Sequence, residues 1–249
     1  MKLKSWVMTG MLVTAALSQA NAVQAAELIQ NGGFEAHGAD VYEITGWQVA
    51  EQGIYGSVLI ENRTYTEVTA NDTVGAYQGS YYGVLDNNGY ASNALYQAFN
   101  TSAVSSATLT FQMFVNNQNA TSEIGEGLNH SFDTSDLANQ HVRVDLLKAG
   151  SDPFSIDSAD VVQSLYIGGA NGMLAANNYV NYSFDLTSSL AAGGSYILRF
   201  ASVANQSSLQ LGVDNVSLNV SAVPEADSAA MLLAGLGLMA GVMRRRNSR

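Results

Sequence analysis

The chain has no cysteine. Disulfides, thiolate-bound zinc, iron–sulfur clusters and thiol catalysis are therefore excluded. Positive charge is nearly as scarce. Residues 26–222 hold only Arg63, Arg143, Lys148 and Arg199 as cations, against nineteen carboxylates, so this region carries a charge near −15. Such a charge repels nucleic acid and anionic lipid and suits cations, neutral glycans and solubility. Proline occurs only at Pro153 and Pro224, and tryptophan only at Trp6 and Trp47. No long segment before the C-terminal tail repeats its apolar residues at about 3.6 positions, which argues against a helical domain. There is no G-x-S-x-G elbow, H-E-x-x-H zinc motif, P-loop or G-x-G-x-x-G turn. His37, His130 and His141 are scattered without metal-ligand spacing and read as solvated or strand-surface side chains.

What is present is alternation of period two. Phe111, Met113 and Val115 alternate with Thr110, Gln112 and Phe114, and Val142, Val144 and Leu146 with His141, Arg143 and Asp145. Val180, Tyr182, Phe184 and Leu186 follow the same rule, as do Tyr196, Leu198 and Phe200 against Ile197, Arg199 and Ala201. Such segments are strands with one face buried. Further strands are expected at 27–30, 45–50, 55–60, 64–69, 80–86, 93–100, 161–167 and 208–221, separated by Gly, Asn, Asp and Ser. Many short strands and almost no helix predict an all-β, antiparallel β-sandwich. The last strand changes parity: Leu209, Leu211 and Val213 share one face, whereas Val216, Leu218 and Val220 have the opposite parity. Burying both sets requires an extra residue, a β-bulge, near Asp214-Asn215.

The two ends of the chain read as targeting segments. Lys2 and Lys4 precede a mostly apolar run from Trp6 to Leu17, and Val23-Gln24-Ala25 fits a leader cleavage site, so residues 1–25 are expected to be removed. The tail, 223–249, has three parts: Val223-Pro224-Glu225, an uncharged run, and the cluster Arg244, Arg245, Arg246. Its apolar core, Ala229 to Met243, has 15 residues. As a helix this is roughly 22 Å at ~1.5 Å per residue, short of the ~30 Å hydrocarbon core. The arginines would stay on the cytoplasmic side of a membrane. This order of parts resembles the PEP-CTERM sorting signal of Gram-negative bacteria, with Ala226 where the family's second proline usually stands. The resemblance implies a temporary inner-membrane anchor, cut near Pro-Glu by an exosortase, on a surface protein of a polysaccharide-exporting biofilm former.

Between these ends, LIQNGGFE (Leu28 to Glu35), Gly46-Trp47, ALYQAF (Ala94 to Phe99), LTFQMFV (Leu109 to Val115), YILRF (Tyr196 to Phe200) and LGVDNVSL (Leu211 to Leu218) follow in order. The series resembles the jelly-roll carbohydrate-binding modules of the galactose-binding-like class. That resemblance implies paired first and last strands over residues 26–222, a structural calcium ion near them, and in some members a bound glycan. Calcium takes about six to eight oxygens. Glu35, after the flexible Asn31-Gly32-Gly33, and Asp214 are the candidate metal ligands; otherwise they accept hydrogen bonds from nearby turns. Sugar rings stack on aromatic faces, which makes Trp47, Tyr81 and Tyr82 candidates for glycan binding, with Tyr55, Tyr65, Tyr90 and Tyr96 as possible additions. The acidic groups Asp152, Asp157, Asp160 and Glu123, Glu126, Asp133, Asp136 do not have EF-hand spacing and read as solvated loops.

The reading is a non-enzymatic, exported surface or biofilm-matrix protein that binds extracellular polysaccharide, is sorted by an exosortase and does not bind nucleic acid. Two alternatives stand beside it: a glycoside hydrolase or lyase on the same fold, and a purely structural matrix protein.

Overall fold

Whether an alternating segment becomes a strand depends on where its inward residues can pack. The computed structural model describes residues 25–118, 124–125, 127–131, 138–169, 176–223 and 226–247. Among these, Ala25–Val223 form one compact unit. The expected leader lies, apart from Ala25, outside the described residues, as do Pro224 and Glu225.

The strands are β1 (Ala26–Glu27), β2 (Gln48–Gly53), β3 (Gly56–Glu61), β4 (Tyr82–Asn88), β5 (Ala91–Thr101) and β6 (Val104–Asn117). They continue with β7 (Gln140–Lys148), β8 (Val161–Gly168), β9 (Val180–Asp185), β10 (Gly194–Ala204) and β11 (Ser208–Ala222). A one-turn helix, α1 (Thr187–Leu190), precedes β10, and α2 (Ala226–Asn247) follows β11. One sheet runs β3-β4-β11-β6-β9, with β1 also paired to β11; the other runs β2-β5-β10-β7-β8. Every pairing is antiparallel. The expected all-β sandwich is thus the architecture found.

The core lies between the sheets. Leu109, Phe111, Met113 and Val115 of β6 meet Val142, Val144 and Leu146 of β7 and Leu198 and Phe200 of β10. Removing such faces from water, at about 25 cal/mol per Å² of apolar surface, is the main force holding the layers together. Val180, at the start of β9, stays exposed, whereas Tyr182 and Phe184 pack on the core. The segment 64–69 is not a strand. It lies in a loop over the first sheet, because that sheet captures its polar groups: Val68 N–H and Thr69 N–H donate to Asp86 Oδ2, at 3.0 and 2.9 Å.

The predicted bulge is present in β11. Asp214 pairs with Gln112 and Ser217 with Thr110, so Asn215 and Val216 together oppose Phe111. Asn215 takes a left-handed φ of 54° and is exposed, which turns Val216, Leu218 and Val220 back into the core that Leu209, Leu211 and Val213 already fill. The Val216 N–H donates to the Gly32 carbonyl at 2.9 Å, and Leu28 N–H to the Leu218 carbonyl at 3.0 Å. The first and last strands are adjacent, and β1 and β4 share one edge of β11 on either side of the bulge.

Candidate functional site

The Asn31-to-Glu35 turn is built around Asn31. Its amide donates to the carbonyls of Ala36 and Thr45 (2.7 and 2.8 Å), and its Oδ1 accepts from Ala36 N–H (2.9 Å). Phe34, wholly buried at a φ of 58°, stacks on Trp47 with ring centroids 5.3 Å apart. Trp47 Nε1–H donates to the Asn31 carbonyl at 3.1 Å. Gly32 admits no side chain, since a Cβ there would lie 1.8 Å from the Val216 carbonyl oxygen. These contacts leave Glu35 at the surface, aimed at the segment before β4.

Glu35 and Asp214 are 179 positions apart in the chain, yet both grip the segment Tyr77–Tyr81. Asp214 Oδ2 accepts from the N–H groups of Tyr77 and Gln78 (2.8 and 3.0 Å), and Oδ1 from Asn215 N–H (2.6 Å). Glu35 Oε1 accepts from Ser80 and Tyr81 N–H (2.7 and 2.9 Å). Gly79, at φ 73°, turns the chain between them, and a Cβ there would strike Glu35 Oε1 at 2.2 Å. Burial pushes the Asp214 carboxyl up to about 6; its three N–H bonds oppose this, and the charge of Glu35 adds to it.

These residues meet part of what a cation needs. Glu35 Oε2 has no hydrogen-bond partner among the described residues, and two like charges converge. No third acidic or histidine side chain joins them among the described residues. The rest of a calcium shell would have to come from backbone carbonyls and water.

Two of the three glycan candidates require correction. Trp47 is 7% exposed, wedged between Phe34 and Phe200, and only its rim lines a shallow pocket with Tyr42, Glu43 and Val49. Tyr82 is wholly buried, its hydroxyl 2.8 Å from Thr73 Oγ1. Neither can offer a ring face to a sugar in this structure, because hydrophobic burial has already taken those faces. Tyr81 is half-buried against the core and His37, whose ring centroid is 4.4 Å away. The aromatic surface lies elsewhere. Ile54 (81% exposed) and Tyr55 (49%) form the turn between β2 and β3, and Tyr55 meets Tyr90 edge-on at 6.5 Å. Asn88 N–H donates to the Tyr55 carbonyl at 2.6 Å, fixing one turn on the other.

A second polar cluster was not foreseen as a site. On the outer face of the second sheet, His141, Arg143 and Asp145 of β7 and Arg199 of β10 are all buried. Asp145 faces Arg199 across the strands. Arg143 Nε and Nη2 donate to the two Asp145 oxygens (3.2 and 3.0 Å), and Arg199 Nη2 donates to Oδ2. Arg199 Nη1 reaches over to the carbonyls of Pro153 and Ser155 (2.8 and 2.7 Å), tying down the loop between β7 and β8. Burial pushes the Asp145 carboxyl upward, but the hydrogen bonds and charges of Arg143 and Arg199 outweigh it and hold it below the usual range. The available signal was that two of the domain's four cations fall on the outward parity of strands that pair.

The acidic loop 149–160 serves this arrangement. Asp152 Oδ1 accepts from Phe154 N–H (2.8 Å) and Asp160 Oδ2 from Ser155 Oγ (2.6 Å). Phe154, with Leu128, covers Ala94, Ala201 and Val203 on the same face. Glu123, Glu126, Asp133 and Asp136 lie outside the described residues.

The helix α2 carries Arg244, Arg245 and Arg246 in its last turn, and Leu233, Leu238, Met239, Val242 and Met243 are exposed along it. No described helix is long and apolar enough to cross a membrane.

Residues 222–247 match the model of the PEP-CTERM protein-sorting motif, so the tail carries that motif. No curated protein matches the chain. Among solved structures, the chain is similar to the enzymatically active domain of tailspike protein 4 of bacteriophage CBA120, at 14% identity and TM-score 0.42. That match covers 78% of this chain and 21% of the tailspike domain, so the chain spans about a fifth of that structure's length. It is also similar to TmCBM61 in complex with β-1,4-galactotriose, at 13% identity over 78% of this chain and 97% of that one, with TM-score 0.43. A third similarity is to the cyclase Fisc from Fischerella sp. TAU, at 16% identity over 80% of this chain and all of that one, with TM-score 0.44. These are likenesses of architecture, and architecture does not select a function.

Proposed function

We propose that this is an exported surface or biofilm-matrix protein, processed by an exosortase at its tail, whose sandwich binds neutral extracellular polysaccharide without altering it. The observation that carries the reading is the sorting motif at 222–247, with its apolar helix and terminal arginines. In this reading α2 holds the protein transiently at the inner membrane and is then removed.

Support for glycan binding is the rigid surface of Ile54, Tyr55 and Tyr90, where two tight connections meet. Arg143 and Arg199 are buried, so the exposed surface has few cations with which to hold an anionic polymer. A neutral sugar can offer its C–H face to the tyrosines and its hydroxyls to neighbouring amides. Support for a non-catalytic role comes from the buried carboxylates. Asp145 is locked between arginines, and Asp86 and Asp214, both pushed upward by burial, are sealed from any substrate.

The reading includes a structural calcium ion at Glu35 and Asp214, supported by the like charge that a cation would relieve and by the uncommitted Glu35 Oε2.

Intact-mass analysis of surface-extracted protein should show an end between Val223 and Ala226. Retention of Arg244–Arg246 in the mature protein would overturn the processing. Affinity gels cast with neutral polysaccharides should retard residues 26–222, and Tyr55→Ala should abolish the retardation. Release of reducing sugar from those polysaccharides would favour the hydrolase reading, and absence of retardation on every gel the structural one.

A further inference from the structure

The sorting motif and the folded domain overlap. The match begins at Ala222, and Ala222 is the last residue of β11. It pairs with Val104, and Ser221 pairs with Ser106. Pairing continues one residue beyond the strand, where Val223 N–H donates to the Ala103 carbonyl at 2.9 Å. Ser105 Oγ lies 3.2 Å from the Ser221 carbonyl and 3.3 Å from that of Ala222. Just upstream, Val220 is 5% exposed and belongs to the core. Thus the residues immediately before Pro224 are a paired strand end, and the sequence leaves no spacer between it and the Pro-Glu motif.

A peptidase takes its substrate as an extended segment whose backbone groups it must itself engage. Here groups on the β6-facing edge of that segment are already engaged: the Val223 N–H by the Ala103 carbonyl, and the Ser221 and Ala222 carbonyls by Ser105 Oγ, across a register shift between Ser221 and Ala222. Cleavage that depends on local opening follows the population of the open form, not of the folded one.

We infer that the end of β11, held by Ala103, Ser105 and Ser106, is a clasp that sets the rate of tail processing: Ser221–Val223 must peel from the sheet before the exosortase can seat the motif. This rests on the processing reading above. The bond broken is a peptide bond within Val223–Ala226; its acyl half passes to water or to a nucleophile of the envelope, and the amine leaves with the tail. After the cut the freed end closes again on Ala103 and Val104, so processing leaves the sandwich intact. The clasp also sets an order of events. Strand β11 has β6 on one edge and both β4 and β1 on the other, so peeling of its end stays local once the domain has folded.

The test uses the full chain in the producing cell, with pulse-labelling and intact mass to follow tail loss. Six Gly/Ser residues inserted between Val223 and Pro224 move the motif away from the clasp. They should raise the initial rate of tail loss at least threefold. A disulfide between Ser106→Cys and Ser221→Cys, the only cysteines the chain would then contain, should lower the rate at least threefold under oxidising conditions. Neither single-cysteine variant should do so. Combining the insertion with the disulfide should restore the wild-type rate or exceed it, which a misfolded domain could not do. Ser105→Ala, at an exposed position, should raise the rate up to about twofold. If the wild-type tail is lost but the insertion and the disulfide both leave its rate unchanged, the clasp is refuted and the processing stands. If the wild-type tail is never lost, the processing reading fails, and the clasp with it.

Discussion

Asp145 and Asp214 are both wholly buried carboxylates, each on a strand that pairs on both sides, yet their ionisation is driven in opposite directions. Asp145 sits on the outer face of one sheet between two guanidinium groups. Asp214 sits at the bulge of the other, facing backbone N–H groups and a second carboxylate. Burial pushes both upward. Full positive charges at hydrogen-bonding distance reverse that push, whereas three peptide dipoles opposed by Glu35 do not. Depth of burial therefore does not identify an acid poised to work. The partners do, and here one carboxylate is committed to an ion network while the other is the place where added positive charge would relieve strain.

The comparison can be broken most forcefully at Asp145. Asp145→Ala strands Arg143 and Arg199 without their counter-ion and should cost ~3–5 kcal/mol in denaturant unfolding, as loss of one partner from a buried ion pair does. The loop 149–160 should then become protease-sensitive, because Arg199 also holds the carbonyls of Pro153 and Ser155. A loss below ~1 kcal/mol would show that the triad does not anchor that loop.

Calcium tests the other carboxylate. If the ion binds at Glu35 and Asp214, free calcium at ~100 times the dissociation constant adds about 2.7 kcal/mol. Chelation of calcium-loaded protein should then lower Tm by ~5–10 °C, at ~2–4 °C per kcal/mol for a domain of this size. Glu35→Ala and Asp214→Ala should each remove most of that shift, and Asp157→Ala should not. An unchanged Tm would leave both carboxylates as clamps on the Tyr77–Tyr81 backbone.

In chelator, Asp214→Asn should cost ~1–3 kcal/mol, since the amide leaves part of the N–H cluster of Tyr77, Gln78 and Asn215 without an acceptor. Urea unfolding of this variant against the wild type gives the number, and equal midpoints would mean that the turn holds without the carboxylate.

The pH profile, also in chelator, should show the smallest and most diagnostic effect. A carboxyl raised to about 6 in the fold favours the folded state below its unfolded value of ~3.9 and loses that advantage as pH rises from there through its folded value. Asp214 should therefore make stability fall between about pH 4 and pH 6, by at most ~1.4 kcal/mol per pH unit. Asp145, lowered in the fold, does the reverse: its contribution is present above ~3.9 and is lost as pH falls through its folded value. Burial raises the Asp86 carboxyl as well, so Asp214→Asn should reduce the upper limb without abolishing it, and should leave the acid limb in place. A wild-type curve without the upper limb would contradict the electrostatics described for the bulge.

Much of the fold was legible in the chain because its period is strong. The inward sets of β6, β7 and β10 follow alternation alone, whereas in β9 Tyr182 and Phe184 pack inward and Val180 stays exposed; the parity change across Val213 and Val216 places the bulge. The segment 64–69 was misread because Tyr65-Thr66-Glu67-Val68 has the composition of a strand, while Asp86, remote in sequence, takes its N–H groups. Trp47 and Tyr82 were misjudged for a related reason. Residue type says that a ring will find a hydrophobic contact; it does not say whether that contact is a sugar or Phe34 and Phe114.

The sequence by itself determined the class of fold, the bulge, the acidic surface and the tail with its sorting motif, since each follows from local spacing, parity or composition. Only the tertiary structure decided that Glu35 and Asp214 grip one turn from two sides and that Arg143, Asp145 and Arg199 form one buried network. It alone decided, too, that β11 stays paired up to the residue before Pro224. These depend on which strands become neighbours, and that choice is made by burying the whole core at once rather than by any one segment.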